Sequence, residues 1–403
     1  MDIAQWFDAV ATAAAVRRVR RMQPMGGNGE KIFPPTYPGD GPNKPPPRHV
    51  FEYRRIGSAN VLCVLIDSVQ SQANRLEEAL GRLRAGRRLQ FPTIAVTFES
   101  SDDLADVGVV DTLLAPHRVF DAIIRDSTLA GKPFGISDEG RGLDLAKPEA
   151  AARIYELSPS TLIFGAWNST RQGGGLGAKF PRAVVSEIVG IGVAAEPDGA
   201  PSGRRTGSRI DPLGIRSGVK VVKLPDGDWR IATDKDKGAI KPSEINHSNI
   251  APSVTSLGVS VDFVRHSFVL SLPALRRLRF LGKPGQPSKA DAAAHAALAA
   301  LALAACLGQD ESGYALRSRC DLVPEPEQST GFELVQADGS AVPLTVDLPT
   351  ACTLFSRGVE TATTHGLTMR GGDLILQPQD KLLEMVRRSR QQALRGEAES
   401  EGE

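Results

Sequence analysis

The segment Leu65–Glu77, LIDSVQSQANRLE, joins the end of an apolar run to a polar helix start. A helix N-terminus presents unpaired backbone N–H groups and the positive end of the helix dipole. Such a helix start can bind phosphate and ribose groups. The polar residues in position to do so are Ser68, Ser71, Asn74 and Arg75. Spacing alone favours an ordinary capped helix with a polar outer face, with Asp67 or Ser68 as the cap.

A second candidate is the loop Trp167–Arg182, WNSTRQGGGLGAKFPR, which contains four glycines. Glycine lets a backbone approach a ligand closely. Single-stranded RNA is bound by stacking on aromatic rings and by cations that pair with phosphates. The residues of these types in the loop are Trp167, Arg171, Lys179 and Arg182.

The glycines of this loop also suggest two nucleotide-binding motifs. A P-loop requires Gly-Lys-Ser/Thr, whereas Lys179 lies between Ala178 and Phe180. A dinucleotide-binding fingerprint is matched by Gly173, Gly175 and Ala178, which makes a nucleotide-dependent oxidoreductase an alternative. The following residues, AVVSEIVGIGV, are rich in β-branched types and predict a strand instead of the helix that this fingerprint needs.

Basic residues are concentrated in the middle of the chain. The whole sequence has a net charge of +1, but residues 165–223 hold nine basic and four acidic residues. Within them, GRRTGSRIDPLGIR (203–216) predicts a flexible loop that orders on RNA or remains solvated. Its arginines are Arg204, Arg205, Arg209 and Arg216. Further along, LSLPALRRLRFL predicts an amphipathic helix with Arg276, Arg277 and Arg279 on its outer face.

The sequence predicts neither an enzyme, nor a cofactor, nor a metal site. The six histidines do not cluster, and neither HExxH nor GxSxG occurs. Asp67 and Asp211 are the loop carboxylates beside polar or basic clusters. A metal-dependent ribonuclease using one of them is therefore an alternative, although such a site needs several converging carboxylates.

Composition indicates a folded chain with a real core. Its 403 residues are 41% hydrophobic and 5% aromatic, enough for two average domains or for one core with insertions. The four cysteines show no CxxC spacing, which favours a reducing, cytoplasmic setting. The apolar run Ala292–Leu307 is interrupted by His295 and predicts a core helix, not a membrane span. Basic residues that follow the first apolar stretch argue against a secretory signal.

These residues must be positioned by a mixture of helices and strands. We predict helices at 3–22, 68–85, 148–157, 289–307, 349–363 and 379–395, and strands at 60–66, 93–98, 161–167 and 183–193. VKVVKL and WRIAT predict a hairpin around Pro225–Asp228. The predicted regions are an N-terminal helix (1–23), a Pro/Gly-rich insertion (24–48), a core with inserted loops (49–348) and C-terminal helices with an acidic tail (349–403). Without regular βαβ alternation, the predicted class is α+β with an RRM-like or ferredoxin-like core.

Several blocks, in order, resemble the RAMP-superfamily (Cas-seven type) backbone subunits of type I-G, formerly I-U, CRISPR Cascade complexes. The blocks are PPTY (34–37), LIDSVQSQANRLEEAL (65–80), the 167–191 stretch with FPRAVVSEI, SRIDPLGI (208–215), KPSEINHSNI (241–250), LSLPALRRLRF (270–280) and GYALRSRCDLV (313–323). They cover roughly residues 24–325. The last 80 residues resemble this family least.

The resemblance implies an RRM-like palm with large finger and thumb insertions. Residues 24–48 are either part of the thumb or a disordered insertion. It implies that copies stack along one CRISPR RNA, whose guide pairs with target DNA for antiviral defence. Partners would be CRISPR RNA, target DNA, further copies, other Cascade subunits and a recruited helicase-nuclease that cuts the DNA. RNA-binding roles carry over to Ser68, Ser71, Asn74, Arg75, Trp167, Arg171, Lys179, Arg182 and Arg209.

Overall fold

The computed structural model describes residues 2–38, 48–169, 177–194, 203, 205–224, 227–247, 250–255, 257–282, 286–329 and 331–395. The chain divides into two compact units. The first unit comprises Met1–Ala194 and Ser260–Gln379, and the second comprises Ala195–Val259 and Asp380–Glu403.

Helices and strands alternate irregularly along the chain, which confirms the mixed α+β class. The α-helices are α1 Ile3–Thr12, α2 Val69–Ala85, α3 Ala122–Arg125, α4 Asp138–Asp144, α5 Ala152–Leu157, α6 Thr161–Phe164, α7 Leu272–Arg276, α8 Lys289–Ser312, α9 Leu348–Thr364 and α10 Asp380–Arg395. The strands are β1 Ala15–Pro24, β2 Phe51–Ile56, β3 Ala59–Asp67, β4 Ile94–Thr97, β5 Val109–Asp111, β6 Ser127–Leu129, β7 Lys132–Pro133, β8 Ala166–Trp167, β9 Lys179–Phe180, β10 Val184–Val193, β11 Arg205–Arg209, β12 Val221–Lys223, β13 Trp229–Ile231, β14 Ile250–Thr255, β15 Val261–Ser271, β16 Tyr314–Arg317, β17 Cys320–Ser329, β18 Phe332–Val335, β19 Ala341–Leu344 and β20 Leu374–Pro378. Short 3₁₀ helices lie at Ala105–Val107, Arg118–Phe120, Phe134–Ile136 and Pro242–Ile245.

The first unit is built on a large sheet with the strand order β16-β17-β1-β15-β10-β3-β2. Each neighbouring pair along this path is antiparallel. It follows that β1 runs parallel to β10, with β15 between them, and that β15 runs parallel to β17, with β1 between them. Helix α2 lies in the connection from β1 to β10, and α8 lies in the connection from β15 to β17. The four central strands therefore carry two interleaved strand–helix–strand connections.

Helix α8 forms the centre of the core and packs against α2 and α9. Its small side chains permit close approach: a Cβ added at Gly358 on α9 would lie 2.9 Å from the Ala297 backbone on α8. The Trp6 indole N–H also donates to Ala296 O at 2.9 Å. Among the described residues, α8 alone is long and apolar enough to cross a membrane, but 89% of its apolar window is buried inside the protein. It is thus the core helix that the sequence predicted.

A second sheet in the first unit has the order β5-β4-β20-β6-β7. Strands β20 and β4 pair in parallel, with Leu374 opposite Ile94. The second unit contains a ribbon of β11 and β14 and a hairpin of β12 and β13. The predicted hairpin is confirmed, whereas the predicted flexible loop over 203–216 contains strand β11.

The prediction of one helix over residues 3–22 is wrong. Helix α1 ends at Thr12, and β1 then enters the interior of the large sheet. Val16 and Met22 are buried there, and Arg18 is buried because it pairs with Asp310 at 2.6 Å. Helical periodicity would place Arg18 in solvent. The ion pair with Asp310 instead allows it to lie inside the sheet.

The predicted strand at 161–167 is also wrong, because residues 161–164 form the short helix α6. Gly165 ends this helix at a φ of +81°, and only Ala166 and Trp167 are extended. Both conformations suit a short buried apolar run, so periodicity could not distinguish them.

Candidate nucleic-acid interface

Helix α2 begins at the end of a buried strand, as the sequence indicated. Ser68 is the N-cap, and its Oγ accepts a hydrogen bond from Ser71 N at 3.2 Å. The N–H groups of the first helical turn, at Val69 and Gln70, have no acceptor within the helix. The start of this 17-residue helix therefore has donors to offer an anion.

Asp67 is fully buried and lies behind this helix start. Its Oδ1 accepts from Ser71 Oγ at 2.8 Å and from the Arg317 guanidinium at 3.1 Å. Its Oδ2 accepts from Gln72 Nε2 at 2.7 Å and from Arg75 Nε at 2.9 Å. One buried carboxylate thus fixes two guanidinium groups and two neutral side chains of the interface. Its role is to position these groups.

This geometry leaves no metal-binding oxygen on Asp67, because both of its oxygens are already bonded to guanidinium groups. Asp211, the other candidate, orders a turn: its Oδ1 accepts from Leu213 N at 2.8 Å and its backbone O from Gly214 N at 3.0 Å. Within the described parts of the chain, no three His, Cys, Asp or Glu side chains are grouped to hold a metal ion. Asp67 and Asp211, the two carboxylates of the ribonuclease alternative, thus each accept hydrogen bonds that hold local structure.

A groove of about 600 Å³ runs along the outer face of α2, and we call it the α2 groove. Its lining residues are Gln70, Ser71, Asn74, Arg75 and Glu78 from α2, Leu113, Leu114, Ala115, Pro116 and Arg118 from the following loop, and Arg182. The structure thus brings together Ser71, Asn74, Arg75 and Arg182, which come from two separate candidate segments. Ser68 lies at the cap of the same helix.

Arg118 forms the inner wall of the α2 groove. Its side chain is buried and binds the Glu77 carboxylate through two hydrogen bonds of 2.6 and 2.8 Å. It also donates to Gly165 O at 2.9 Å, and its backbone has a φ of +53°. Non-glycine residues seldom adopt this conformation, and they hold it where several contacts fix it. Arg118 therefore anchors the loop onto α2 while its own charge is balanced by Glu77.

Arg182 differs from Arg75 and Arg118 because its bond is to a carbonyl. Its Nε donates to Phe164 O at 3.2 Å. Burial, together with the nearby positive charge of Arg118, lowers the pKa of the Arg182 guanidinium. No carboxylate among the described residues lies within ion-pair distance of it. A phosphate in the groove would supply the missing counter-charge.

Trp167 and Lys179 face each other across the short β8–β9 pair. The Trp167 ring is 51% exposed, and the Lys179 ammonium lies 4.5 Å from its centroid. Phe180 stacks on Phe120 with 6.3 Å between ring centroids, which holds the pair against the loop. An exposed indole beside a cation provides both a stacking surface and a phosphate contact.

Several predicted residues cannot be placed in the interface. Arg171 and Arg204 lie outside the described residues, as do Gly173 and Gly175 of the dinucleotide fingerprint. Arg205 and Arg209 belong to β11 in the second unit, and their side chains are not described. Arg216 is exposed in the second unit. The stretch after the glycines is strand β10, so the helix that the dinucleotide fingerprint requires does not follow it.

Sequence reasoning missed Arg118 and Arg317. Arg317 lies in the block GYALRSRCDLV, where the repeated arginines around a turn were a usable signal. Arg118 follows Pro116 and His117 without any charge or glycine pattern, and its partner Glu77 lies 41 residues earlier. Only the tertiary structure reveals that pairing.

Comparison with known proteins yields one family. Residues 16–195 match the model of the family described as CRISPR-associated protein GSU0053, which confirms the predicted relation to CRISPR-associated proteins. No curated protein matches the chain. Among solved structures, Csc2 of Thermofilum pendens is 11% identical over 98% of this chain and 81% of that one, with a TM-score of 0.27. A likeness at that TM-score carries no argument.

Proposed function

We propose that this chain is an RNA-binding backbone subunit of a type I-G Cascade complex, because residues 16–195 match the model of the CRISPR-associated GSU0053 family. In this role several copies assemble along one CRISPR RNA in the cytoplasm. The guide then pairs with target DNA, and cutting belongs to a recruited helicase-nuclease. The subunit itself is not an enzyme.

The observation that carries this proposal is the composition of the α2 groove. It combines hydroxyl, amide and N–H donors of a helix start with Arg182, whose charge lacks a carboxylate partner among the described residues. Lys179 and the exposed Trp167 lie on the strand pair that leads into Arg182. These groups recognise phosphate and the face of any base, and none of them requires a particular base.

The topology supports an RRM-like palm. In the ferredoxin-like arrangement that RRM domains share, the four antiparallel strands carry two helical connections. The four central strands here, in the order β17-β1-β15-β10, have the same interleaved connections, through α2 and α8. Strands β3, β2 and β16 extend this palm at its two edges.

The second unit supports a finger or thumb role. Ile210 and Leu213 are 86% and 74% exposed, although both are large aliphatic residues. Asp211 fixes the turn between them by accepting a hydrogen bond from Leu213 N, so both side chains project from an ordered turn. Exposed aliphatic side chains on nucleic-acid-binding proteins insert between neighbouring bases. This matches the base displacement expected of a thumb.

Purification of the full chain together with a CRISPR array tests the proposal. We expect RNA of uniform length to accompany the protein in a large assembly, and nuclease treatment to dissolve that assembly. Incubation of the purified protein with labelled RNA and Mg²⁺ should leave the RNA intact. Purification as an RNA-free monomer that does not bind added CRISPR RNA would overturn the proposed binding role. Cleavage that is lost in Asp211→Ala, or in an Asp67→Asn protein that circular dichroism shows to be folded, would instead support the ribonuclease.

A further inference from the structure

A second cavity of the first unit shares no residue with the α2 groove. It lies between α1, the segment after α7 and the start of α8, and its volume is about 330 Å³. Its walls are mainly apolar, formed by Phe7, Val10, Ala11, Pro287 and Ala292. This size falls in the range of small-molecule sites. At about 30 Å³ for each water-sized group, it holds roughly ten non-hydrogen atoms.

Two arginines complete the lining, and the sequence had placed both on a solvated helix face. Arg276 instead turns toward α1 and donates to Val10 O at 2.7 Å and to Ala13 O at 2.8 Å. Burial lowers the pKa of this guanidinium. In the described part of the chain, no Asp or Glu lies within ion-pair distance of Arg276. Its positive charge is therefore balanced only by carbonyl dipoles.

Arg279 repeats this pattern. It donates to Arg276 O and, at 2.9 Å, to Leu278 O, and its Nε is buried without a hydrogen-bond partner among the described atoms. His295 adds no charge to the site at neutral pH: its Nε2 lies 3.0 Å from Leu278 O, and burial lowers its pKa to about 4. The cavity is thus mainly apolar, and its lining residues include two partly desolvated cations and no acidic side chain.

We propose that this cavity binds an apolar group of about ten non-hydrogen atoms that carries one carboxylate. The carboxylate would pair with Arg276 and Arg279, because guanidinium groups bind carboxylates in a two-pronged geometry. The apolar body would cover Phe7 and Val10. A bare phosphate would satisfy the charge but leave the apolar walls in water. The ligand is either a free medium-chain acid or the C-terminal residue of another polypeptide.

Titration calorimetry on the full chain tests the proposal with two matched pairs of probes. Octanoate is compared with 1-octanol, and N-acetylvaline with its amide. In at least one pair the acid should bind about tenfold more tightly than its neutral partner, as a charged hydrogen bond predicts. Preference for octanoate identifies a free acid as the ligand type, and preference for N-acetylvaline identifies a chain terminus.

Two variants locate the binding. Arg279→Met should abolish the preference for the acid, and Ala292→Trp, at the exposed mouth, should abolish binding of the apolar body as well. Arg277→Met, an exposed arginine of the same segment outside the cavity, is the control and should bind as the parent does. Circular dichroism establishes that each variant is folded. The proposal is overturned if neither acid binds saturably, if acid and neutral probe bind equally, or if folded Arg279→Met and Ala292→Trp proteins bind unchanged. None of these outcomes depends on RNA binding.

Discussion

The candidate interface has two halves, one around Asp67 and one around Trp167. Both contain basic residues, but these residues have different partners. Around Asp67, Arg75 and Arg317 are bonded to one buried carboxylate. Around Trp167, the cations Lys179 and Arg182 contact an aromatic ring and a backbone carbonyl instead. From this difference we infer that the first half builds the groove, and we propose that the second half supplies charge for a ligand. Changes in the first half should therefore reduce stability, and changes in the second should reduce RNA binding.

The largest effect is expected at Asp67. Asp67→Asn keeps the shape of the side chain but leaves two guanidinium groups without their carboxylate. Unfolding in urea should show a loss of about 3 kcal/mol, typical of a broken buried ion pair. Asp347→Asn, at the exposed cap of α9, is the control and should show a much smaller loss. If Asp67→Asn were as stable as the parent protein, Asp67 would not organise the groove.

The double variant Lys179→Met and Arg182→Met should give the largest loss of RNA affinity. Each phosphate contact that is removed lowers the slope of log affinity against log salt by about 0.7 for single strands. The slope should therefore fall by about 1.4, with little change in stability. Fluorescence anisotropy at several salt concentrations measures this slope. Arg357→Met, an exposed arginine on α9, is the matched control. An unchanged slope would show that these two cations do not contact phosphate.

Trp167→Ala tests the stacking surface separately from the charge. Loss of one stacked base weakens RNA binding by about 1–2 kcal/mol. The salt slope should stay the same, because no cation is removed. Tyr53→Ala, an exposed aromatic residue on β2, should leave the affinity unchanged. Equal affinities of the Trp167→Ala and parent proteins would remove Trp167 from the interface.

Arg75→Met should have the smallest effect. Whether it changes stability or RNA binding shows to which half Arg75 belongs. Arg75 has a side chain that is 25% exposed, and Asp67 keeps Arg317, Ser71 and Gln72 after the change. We expect a loss of about 1 kcal/mol in stability and an unchanged salt slope of RNA binding. If the salt slope of RNA binding fell without any loss of stability, Arg75 would be a ligand-binding residue. The two halves would then not differ in the way described.

Local patterns predicted the parts of the site that local chemistry determines. The cap type and the apolar spacing placed α2 between Ser68 and Gly86, and the structure confirms both ends. The β-branched stretch after the glycines predicted β10, because β-branched residues are enriched in strands. Sequence spacing did not reveal that Asp67 binds Arg317, because 250 residues separate the pair.

The errors have a common origin in tertiary contacts. Arg18 and Arg20 both bind Asp310 on α8, which lets a basic segment cross the sheet as β1 and not continue α1. Arg276 likewise leaves the solvent-facing position that periodicity assigned to it, because the carbonyls at the end of α1 accept its hydrogen bonds. In each case a distant partner decides where a charged side chain lies.

The central claim is that copies of this chain bind along single-stranded RNA through phosphate and stacking contacts. Sedimentation of the full chain with two unrelated RNAs, each about 40 nucleotides long, tests it most directly, since a site spans only about 4–16 nucleotides in comparable proteins. We predict complexes of several copies on either RNA with similar affinity, and their loss in the Lys179→Met and Arg182→Met double variant. A protein that sediments as a free monomer with both RNAs, or that binds only one of them, would contradict the claim.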